Sequence, residues 1–389
     1  MTGDDAVVPE GKGFMGKDWD GFVPPPAVWK ECMRVLKPGG HMAVFAGART
    51  QDLMGLSIRL AGFEIRDTLG WIYGSGIPKS IDISKAIDKG QGVSESRAYE
   101  FTEWMRSTGI TAREINEATG TQMGSHYLTD KSQPAVATAD IFDKLRPLLP
   151  EVPERIERLV SERTGDYAKR EVVGKNRWTN AANPFIPGGD TTRVPIDITA
   201  PASDAAKQWN GWGTALKTTI EPIILARKPL VGTVAGNVLE YGVGGLNIDA
   251  SRVPSGESDP AGRFPANVLL DEHASAEVDE QRDGASRFFP VFKYQAKAPK
   301  KERPVIELKD GTKVQHPTVK PVGLMEWLVT LITPPGGTVL DPFTGSGTTL
   351  EAAKAEGFNS VGIEMGEEYI LLIEERFRKR RERLEDNES

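Results

Sequence analysis

Residues 338–364 read TVLDPFTGSGTTLEAAKAEGFNSVGIE, and their pattern gives the clearest indication of the fold. A short apolar run ends at Asp341, two glycines follow at Gly345 and Gly347, and a second apolar run ends at Glu364. The order predicts a strand, a tight turn, a helix and a second parallel strand, as in doubly wound α/β proteins. Glycines in the turn let the backbone approach a ligand closely, because they carry no Cβ.

The acidic residues of this stretch indicate which ligand it binds. Leu350 stands where the dinucleotide pattern needs a third glycine, and Asp341 would repel a phosphate but attract an ammonium group. Glu364, at the end of the second strand, can accept hydrogen bonds from both hydroxyls of a ribose. A nucleoside with an amino-acid tail and no phosphate fits all these features, so the stretch predicts S-adenosylmethionine.

The same residues closely resemble the cofactor motif of DNA methyltransferases that modify exocyclic amino groups, at N6 of adenine or N4 of cytosine. HPTVKP, residues 316–321, resembles the segment that precedes this motif in the family and packs beside the methionine moiety. The resemblance implies cofactor contacts from two groups of residues. They are Asp341, Pro342, Phe343, Gly345, Ser346, Gly347, Thr348 and Glu364 in the motif, and His316, Pro317 and Lys320 before it.

The motif lies late in the chain, whereas such loops usually open a domain. One subgroup of the family is circularly permuted, with the catalytic half first and the cofactor half last. The resemblance therefore implies a Rossmann-like class I methyltransferase fold with a doubly wound, mostly parallel sheet, circularly permuted. The predicted order is a catalytic half (1–84), an inserted helical and flexible region (85–206), a returning strand (207–230), a small target-recognition region (231–315) and the cofactor half (316–389).

Local patterns predict the elements of the first and inserted regions. Residues 24–40 read as a helix, 41–47 as a strand, 50–63 as a helix and 63–74 as a strand. Residues 109–128 have the spacing of a helix-turn-helix with a turn at Gly120 and Thr121, and a helical insertion that binds nothing is an equal alternative. Trp71, Trp209 and Trp212 are expected in the core rather than at a base-stacking surface.

The catalytic loop of this family has an acid, Ser or Asn, then two prolines and an aromatic residue. Counting back from GFMGKDWDG, these positions fall on Val7, Val8, Pro9 and Glu10, so the resemblance leaves Pro9 and Glu10 as catalytic positions in a degenerate loop. Three explanations stay open: a truncated or misassigned start, a drifted loop in which Glu10 or Asp5 accepts the proton, or a protein that binds without methylating.

Composition excludes several classes of protein. The single Cys32 excludes an internal disulfide framework and a cysteine-rich zinc site, so no metal is expected. No apolar run approaches the ~18 residues of a membrane span, and the N-terminus lacks a signal-peptide pattern. These features predict a cytoplasmic protein, and the resemblance to DNA methyltransferases implies a bacterial or phage-infected cell.

A net charge of −7 requires any DNA contact to come from local basic patches. Double-stranded DNA is the expected partner, and a homodimer is left open. The candidate contact residues are Arg113, His126, Lys131, Lys293 and Lys297, whereas His41 and His273 are assigned to ordinary surface or core positions.

The sequence therefore predicts a site-specific DNA methyltransferase acting on adenine N6 or cytosine N4. The alternatives are a catalytically inactive homologue that binds cofactor and DNA, and a methyltransferase of RNA or protein on the same scaffold. The inserted region and the absence of a visible nuclease motif in the sequence favour an orphan or phage-type enzyme, and a restriction partner is left open.

Overall fold

The structure is a computed structural model that describes residues 23–74, 80–89, 93–131, 133–164, 170–176, 196–255, 260–292, 298, 302–308, 311 and 313–388. The chain divides into two compact units. The first comprises the chain up to Ile77 and from Thr218 onward, and the second is Pro78–Lys217. The second unit extends beyond the predicted insertion, 85–206, on both sides, and the five predicted domains stay a prediction.

The strands of the described residues are short and most lie in the first unit. They are β1 His41–Phe45, β2 Glu64–Ile72, β3 Val172–Asn176, β4 Ile196–Thr199, β5 Ile220–Arg227, β6 Val268–Asp271, β7 Val291–Phe292, β8 Ile306–Glu307, β9 Lys313–Val314, β10 Thr338–Asp341 and β11 Asn359–Gly362. Of these, β3 and β4 belong to the second unit.

The helices are divided between the two units. They are α1 Pro26–Val35, α2 Gln51–Leu60, α3 Ile83–Asp88, α4 Glu95–Ser107, α5 Ala112–Thr119, α6 Ala139–Leu145, α7 Glu154–Thr164, α8 Asp204–Gln208, α9 Val234–Tyr241, α10 Glu272–Gln281, α11 Val322–Ile332, α12 Thr348–Ala355 and α13 Glu367–Glu388. Across the described residues, none of them combines the length and the apolar character needed to cross a membrane.

The main sheet of the first unit has the strand order β1-β5-β2-β6-β7. Strand β5 is antiparallel to both of its neighbours, β1 and β2, whereas β2, β6 and β7 pair in parallel. Four of the five strands therefore run in one direction, which confirms the predicted mostly parallel sheet. Strands β10 and β11 form their own parallel pair.

Helices pack on both faces of the main sheet, and β5 shows this by the alternation of its side chains. Ile223 and Leu225 belong to an apolar cluster that includes α11, whereas Ile224 and Ala226 belong to a cluster that includes α1 and α2. Alternate residues of a strand point to opposite faces, so both faces of the sheet are covered. The α/β, doubly wound architecture is thus confirmed, whereas circular permutation stays a prediction.

The predicted elements of the first region form close to their expected bounds. Helix α1 has Pro26 in its first turn, where a missing N–H costs nothing, and it ends before the turn at Gly39, whose φ is +77°. The apolar runs at 41–47 and 63–74 give β1 and β2. Trp71 of β2 is 1% exposed, which confirms its expected core position.

The second unit has a helical core of its own. Phe101 and Met105 of α4 pack with Phe142 of α6 in a cluster that also takes residues from α5 and α7. A buried ion pair between Arg170 and Asp88 joins separate parts of this unit. The predicted helical insertion therefore has a hydrophobic core.

The predicted helix-turn-helix is wrong within the described residues. Helix α5 forms, with a Thr111–Glu114 capping box, and it ends at Gly120 with φ +73°. Residues 124–128 are turns, and the next helix is α6. The reason is that the Asn116 side chain accepts a hydrogen bond from the Gly124 N–H at 2.8 Å, which folds the chain back onto α5.

Trp209 and Trp212 were expected in the core, and this expectation is wrong. Their rings form an edge-to-face pair with centroids 5.2 Å apart, and they are 39% and 60% exposed. The backbone beside them is fixed, because the Ser80 Oγ accepts a hydrogen bond from the Thr214 N–H at 2.9 Å. A fixed backbone with outward-facing rings places both tryptophans at the surface of the second unit.

Candidate cofactor site

The candidate site is the turn between β10 and α12. Asp341 ends β10 and is paired with Gly362 of the parallel strand β11. Gly345 and Gly347 have φ of +53° and +82°, in the left-handed region that favours glycine. A Cβ built on Gly345 would lie 3.0 Å from His316 Nε2. The two glycines are therefore required both by backbone conformation and by close packing.

Glu364, just after β11, is hydrogen-bonded to this turn. Its Oε2 accepts a hydrogen bond from the Gly345 N–H at 2.7 Å, and its Oε1 accepts one from the Gly366 N–H at 2.8 Å. A carboxylate has about four acceptor positions. Each oxygen of Glu364 thus keeps capacity for a further donor.

Asp341 lies on the other side of the turn and is partly buried. Its Oδ1 accepts a hydrogen bond from the Phe343 N–H at 3.0 Å. Burial raises the pKa of this carboxyl and the charge of Glu364 adds to the rise, although hydrogen bonds from Thr349 and Phe343 oppose it. Two acids near one glycine turn create a local preference for a cationic ligand.

The side chains of the turn differ in what they can offer a ligand. Ser346 and Thr348 are 3% and 6% exposed, so their side chains face the protein interior. Phe343 is 53% exposed and forms an edge-to-face contact with Trp29, with ring centroids 5.8 Å apart. Gly347 is the N-cap residue of α12. Because it has no side chain, it makes no side-chain hydrogen bond to the first N–H groups of the helix.

The segment 316–321 divides into two parts. The His316 ring lies against Gly345 and makes an edge-to-face contact with Tyr369, at a centroid distance of 4.7 Å. Lys320, by contrast, forms an ion pair with Glu221 of β5, and its Nζ lies 4.5 Å from the ring centroid of Phe45. The structure thus brings His316 to the turn and holds the Lys320 ammonium at the main sheet.

Arg376 is a residue of the site that the sequence did not indicate, because it lies in a run of mixed charges near the C-terminus, a pattern typical of a solvated helix face. Its side chain is 2% exposed. The guanidinium donates to Ser346 O at 2.6 Å, to Ser346 Oγ at 3.1 Å, to Glu351 Oε2 at 2.6 Å and to Glu302 O at 2.9 Å. Through Arg376, helix α13 is therefore hydrogen-bonded to the glycine turn and braces it.

Some of the remaining predicted site residues lie outside the described part of the chain, and the others lie in the second unit. Pro9 and Glu10, like Lys293 and Lys297, lie outside the described residues. In the second unit, the exposed Arg113 forms an ion pair with Glu117 at 2.8 Å, and His126 Nδ1 lies 3.2 Å from Gln133 O. Lys131 is exposed. Their assignment to DNA contact stays a prediction.

A parallel strand pair joined by a glycine turn and helix, with an acid after each strand, defines the class of α/β proteins that bind nucleoside-containing ligands. Residues 17–375 match the N6_N4_Mtase family of DNA methylases, and the chain belongs to this family.

Two curated relatives match short parts of the chain. Type II methyltransferase M.HinfI of Haemophilus influenzae is 43% identical over 79 residues, which are 20% of this chain and 21% of that protein. DNA adenine methyltransferase YhdJ of Escherichia coli K12 is 47% identical over 57 residues, 15% of this chain and 19% of the relative. The chain thus covers about a fifth of each relative's length.

Among solved structures, the M1.HpyAVI–SAM complex aligns with 90% of this chain and 81% of its own, at 14% identity and a TM-score of 0.36.

Proposed function

We propose that this chain is a DNA methyltransferase that moves a methyl group from S-adenosylmethionine to an exocyclic amino group, N6 of adenine or N4 of cytosine, in duplex DNA. Membership of the DNA methylase family supports the proposal. The observation that carries it is the contact between Glu364 and the Gly345 N–H, which joins the acid of the second strand to the glycine turn.

Glu364 would hold the ribose of the cofactor. Each of its oxygens already accepts one backbone N–H, from Gly345 or Gly366, and these bonds fix the orientation of the carboxylate. The remaining acceptor position on each oxygen suits one of the two ribose hydroxyls. Exposed apolar side chains next to it, Ile363 at 56% and Met365 at 89%, suit the face of an adenine ring.

The charged groups of the methionine moiety would meet the other side of the turn. Asp341 suits the ammonium group, because the two charges attract each other strongly in a partly buried site. The N-terminus of α12, with Gly347 as its cap, suits the carboxylate through the helix dipole and free N–H groups. His316, whose ring lies against Gly345, would line the site beside the glycine turn.

The cofactor supplies an electrophilic methyl group on its sulfonium. The role of the chain is to orient it toward the target nitrogen and to accept the proton that the nitrogen loses. Pro9 and Glu10 are the positions proposed for this step, and Arg113, His126, Lys131, Lys293 and Lys297 are proposed for DNA contact. The permuted order of the two halves and a cytoplasmic location belong to the same proposal.

Methyl transfer tests this proposal directly. The full chain, S-adenosylmethionine with a tritiated methyl group and unmethylated bacterial duplex DNA are incubated, and the DNA is digested to nucleosides for chromatography. Label in N6-methyl-2′-deoxyadenosine or N4-methyl-2′-deoxycytidine is expected. Glu364→Ala should lose most of the transfer, whereas Glu367→Ala, an exposed acid three residues away, should keep it. A folded protein that leaves DNA unlabelled under these conditions contradicts the proposal.

A further inference from the structure

Two guanidinium groups lie over one exposed aromatic ring in the region 231–315. The Cζ of Arg263 lies 5.3 Å and the Cζ of Arg287 4.9 Å from the ring centroid of Phe288. Phe288 is 48% exposed and Phe264, beside Arg263 in the chain, is 65% exposed. Arginine and aromatic side chains are enriched in contact surfaces, and here two arginines lie over one half-exposed ring.

Backbone contacts hold this cluster in place. Arg263 pairs with Val253 through two backbone hydrogen bonds of 3.0 and 2.8 Å, and its Nη1 donates to Arg287 O at 3.3 Å. Ser286 donates from its N–H and its hydroxyl to the Asp279 carboxylate, at 2.8 and 2.7 Å. These bonds fix the 3₁₀ turn that carries Arg287 and Phe288. A preorganised surface loses less conformational entropy when it binds.

The positive charge of the cluster is not neutralised within the described part of the chain. Neither Arg263 nor Arg287 forms an ion pair with a carboxylate there. The nearby acid is Asp279, whose pKa is held low by its bonds to Ser286 and, to a smaller degree, by the charge of Arg287. Both oxygens of the Asp279 carboxylate therefore already accept hydrogen bonds from Ser286.

Two exposed arginines elsewhere in the chain behave differently. Arg34 pairs with Glu31 at 2.8 Å, and Arg113 pairs with Glu117 at the same distance. In the cluster, both guanidinium groups lie over the Phe288 ring instead, and a guanidinium in this position keeps N–H groups for another acceptor. Guanidinium N–H donors match phosphate oxygens and the acceptor edge of guanine.

We infer that Arg263, Arg287 and Phe288 form a contact surface for duplex DNA. The inference rests on the proposed function, since it names the part of the molecule that holds that substrate. Duplex DNA is the partner that fits best, because it presents both regularly spaced phosphates for the guanidinium edges and base edges for planar donors. An acidic protein would satisfy the charges but would offer no base edges.

The test compares Arg263→Gln, Arg287→Gln and the double variant with Arg34→Gln, which makes the same charge change at an ion-paired arginine. Binding of the full chain to a fluorescein-labelled duplex is followed by anisotropy over a range of salt concentrations. Each substitution in the cluster should weaken binding about five- to tenfold and reduce the slope of log K against log salt by about one. Arg34→Gln should leave affinity and slope unchanged.

Calorimetric titration with S-adenosylmethionine separates this inference from the proposed function and reports folding, since all variants should bind cofactor as the wild type does. Wild-type binding to DNA with no change in either cluster variant overturns the inference alone. Failure of the wild type to bind DNA overturns both the inference and the DNA substrate. Equal displacement of the duplex by poly-glutamate of matched charge would assign the surface to an acidic protein and overturn the choice of DNA.

Discussion

Replacement of Arg376 by Met gives the sharpest test of how the glycine turn is held. The substitution removes the four hydrogen bonds described above, among them the ion pair with the Glu351 carboxylate, which is 8% exposed. Breaking a buried ion pair by removal of one member costs about 3–5 kcal/mol. We therefore expect Arg376→Met to lower the free energy of unfolding by about that amount, with Arg376→Lys intermediate because it keeps a charge.

The measurement is urea unfolding followed by tryptophan fluorescence, with linear extrapolation to water. Arg378→Met is the matched control, because Arg378 lies on the same helix and its pair with Glu375, at 2.7 Å, is 49% exposed on the arginine side. Its loss should stay within about 0.5 kcal/mol. Combining Arg376→Met with Glu351→Met should recover about 2 kcal/mol relative to the sum of the single losses.

Arg376 also fixes the conformation of Ser346 within the turn, so its loss should weaken S-adenosylmethionine binding as well as folding. A tenfold weaker affinity corresponds to about 1.4 kcal/mol, which calorimetry resolves readily. If Arg376→Met unfolds at the same urea concentration as Arg378→Met and binds cofactor equally, α13 does not brace the turn.

Three further predictions concern Gly345, Asp341 and His41. Gly345→Ala should abolish cofactor binding, because its Cβ would meet His316 at 3.0 Å, whereas Gly336→Ala, also at positive φ but with open space around it, should cost only about 1 kcal/mol of stability. Cofactor affinity should rise with pH in the acid range as Asp341, whose pKa is raised by burial, becomes charged, and Asp341→Asn should remove this dependence. His41, whose pKa burial and Arg227 lower to about 4, should make the protein lose about 2 kcal/mol of stability from pH 7 to 5, since the unfolded chain takes up a proton below 6.5 and the folded chain does not. In urea titrations, His41→Gln should flatten this loss; an unchanged pH profile would show that another group causes it.

Local sequence patterns predict the elements well where one physical preference dominates. The apolar periodicity of residues 24–74 gives α1, β1, α2 and β2, and residues 338–364 form the predicted strand, glycine turn, helix and second parallel strand. These features depend on backbone geometry within one strand–turn–helix unit. Residues close in sequence are sufficient to define them.

Features that depend on particular side-chain contacts were not predictable in the same way. The second helix expected after Gly120 does not form, because Gly124 packs against Asn116 of α5. Burial of Arg376 depends on Ser346 and Glu302, both remote in sequence, so the pattern of its own helix resembles a solvated face. No local pattern carries that information.

Calorimetric titration of S-adenosylmethionine into the full chain tests directly whether the glycine turn is the cofactor site. We expect saturable binding of one cofactor per chain, which Glu364→Ala weakens by about 1–3 kcal/mol, or roughly 5- to 150-fold, and which Glu367→Ala leaves unchanged. A folded wild-type protein that releases no heat of binding, or a Glu364→Ala variant with unaltered affinity, would contradict the assignment of the glycine turn as the cofactor site.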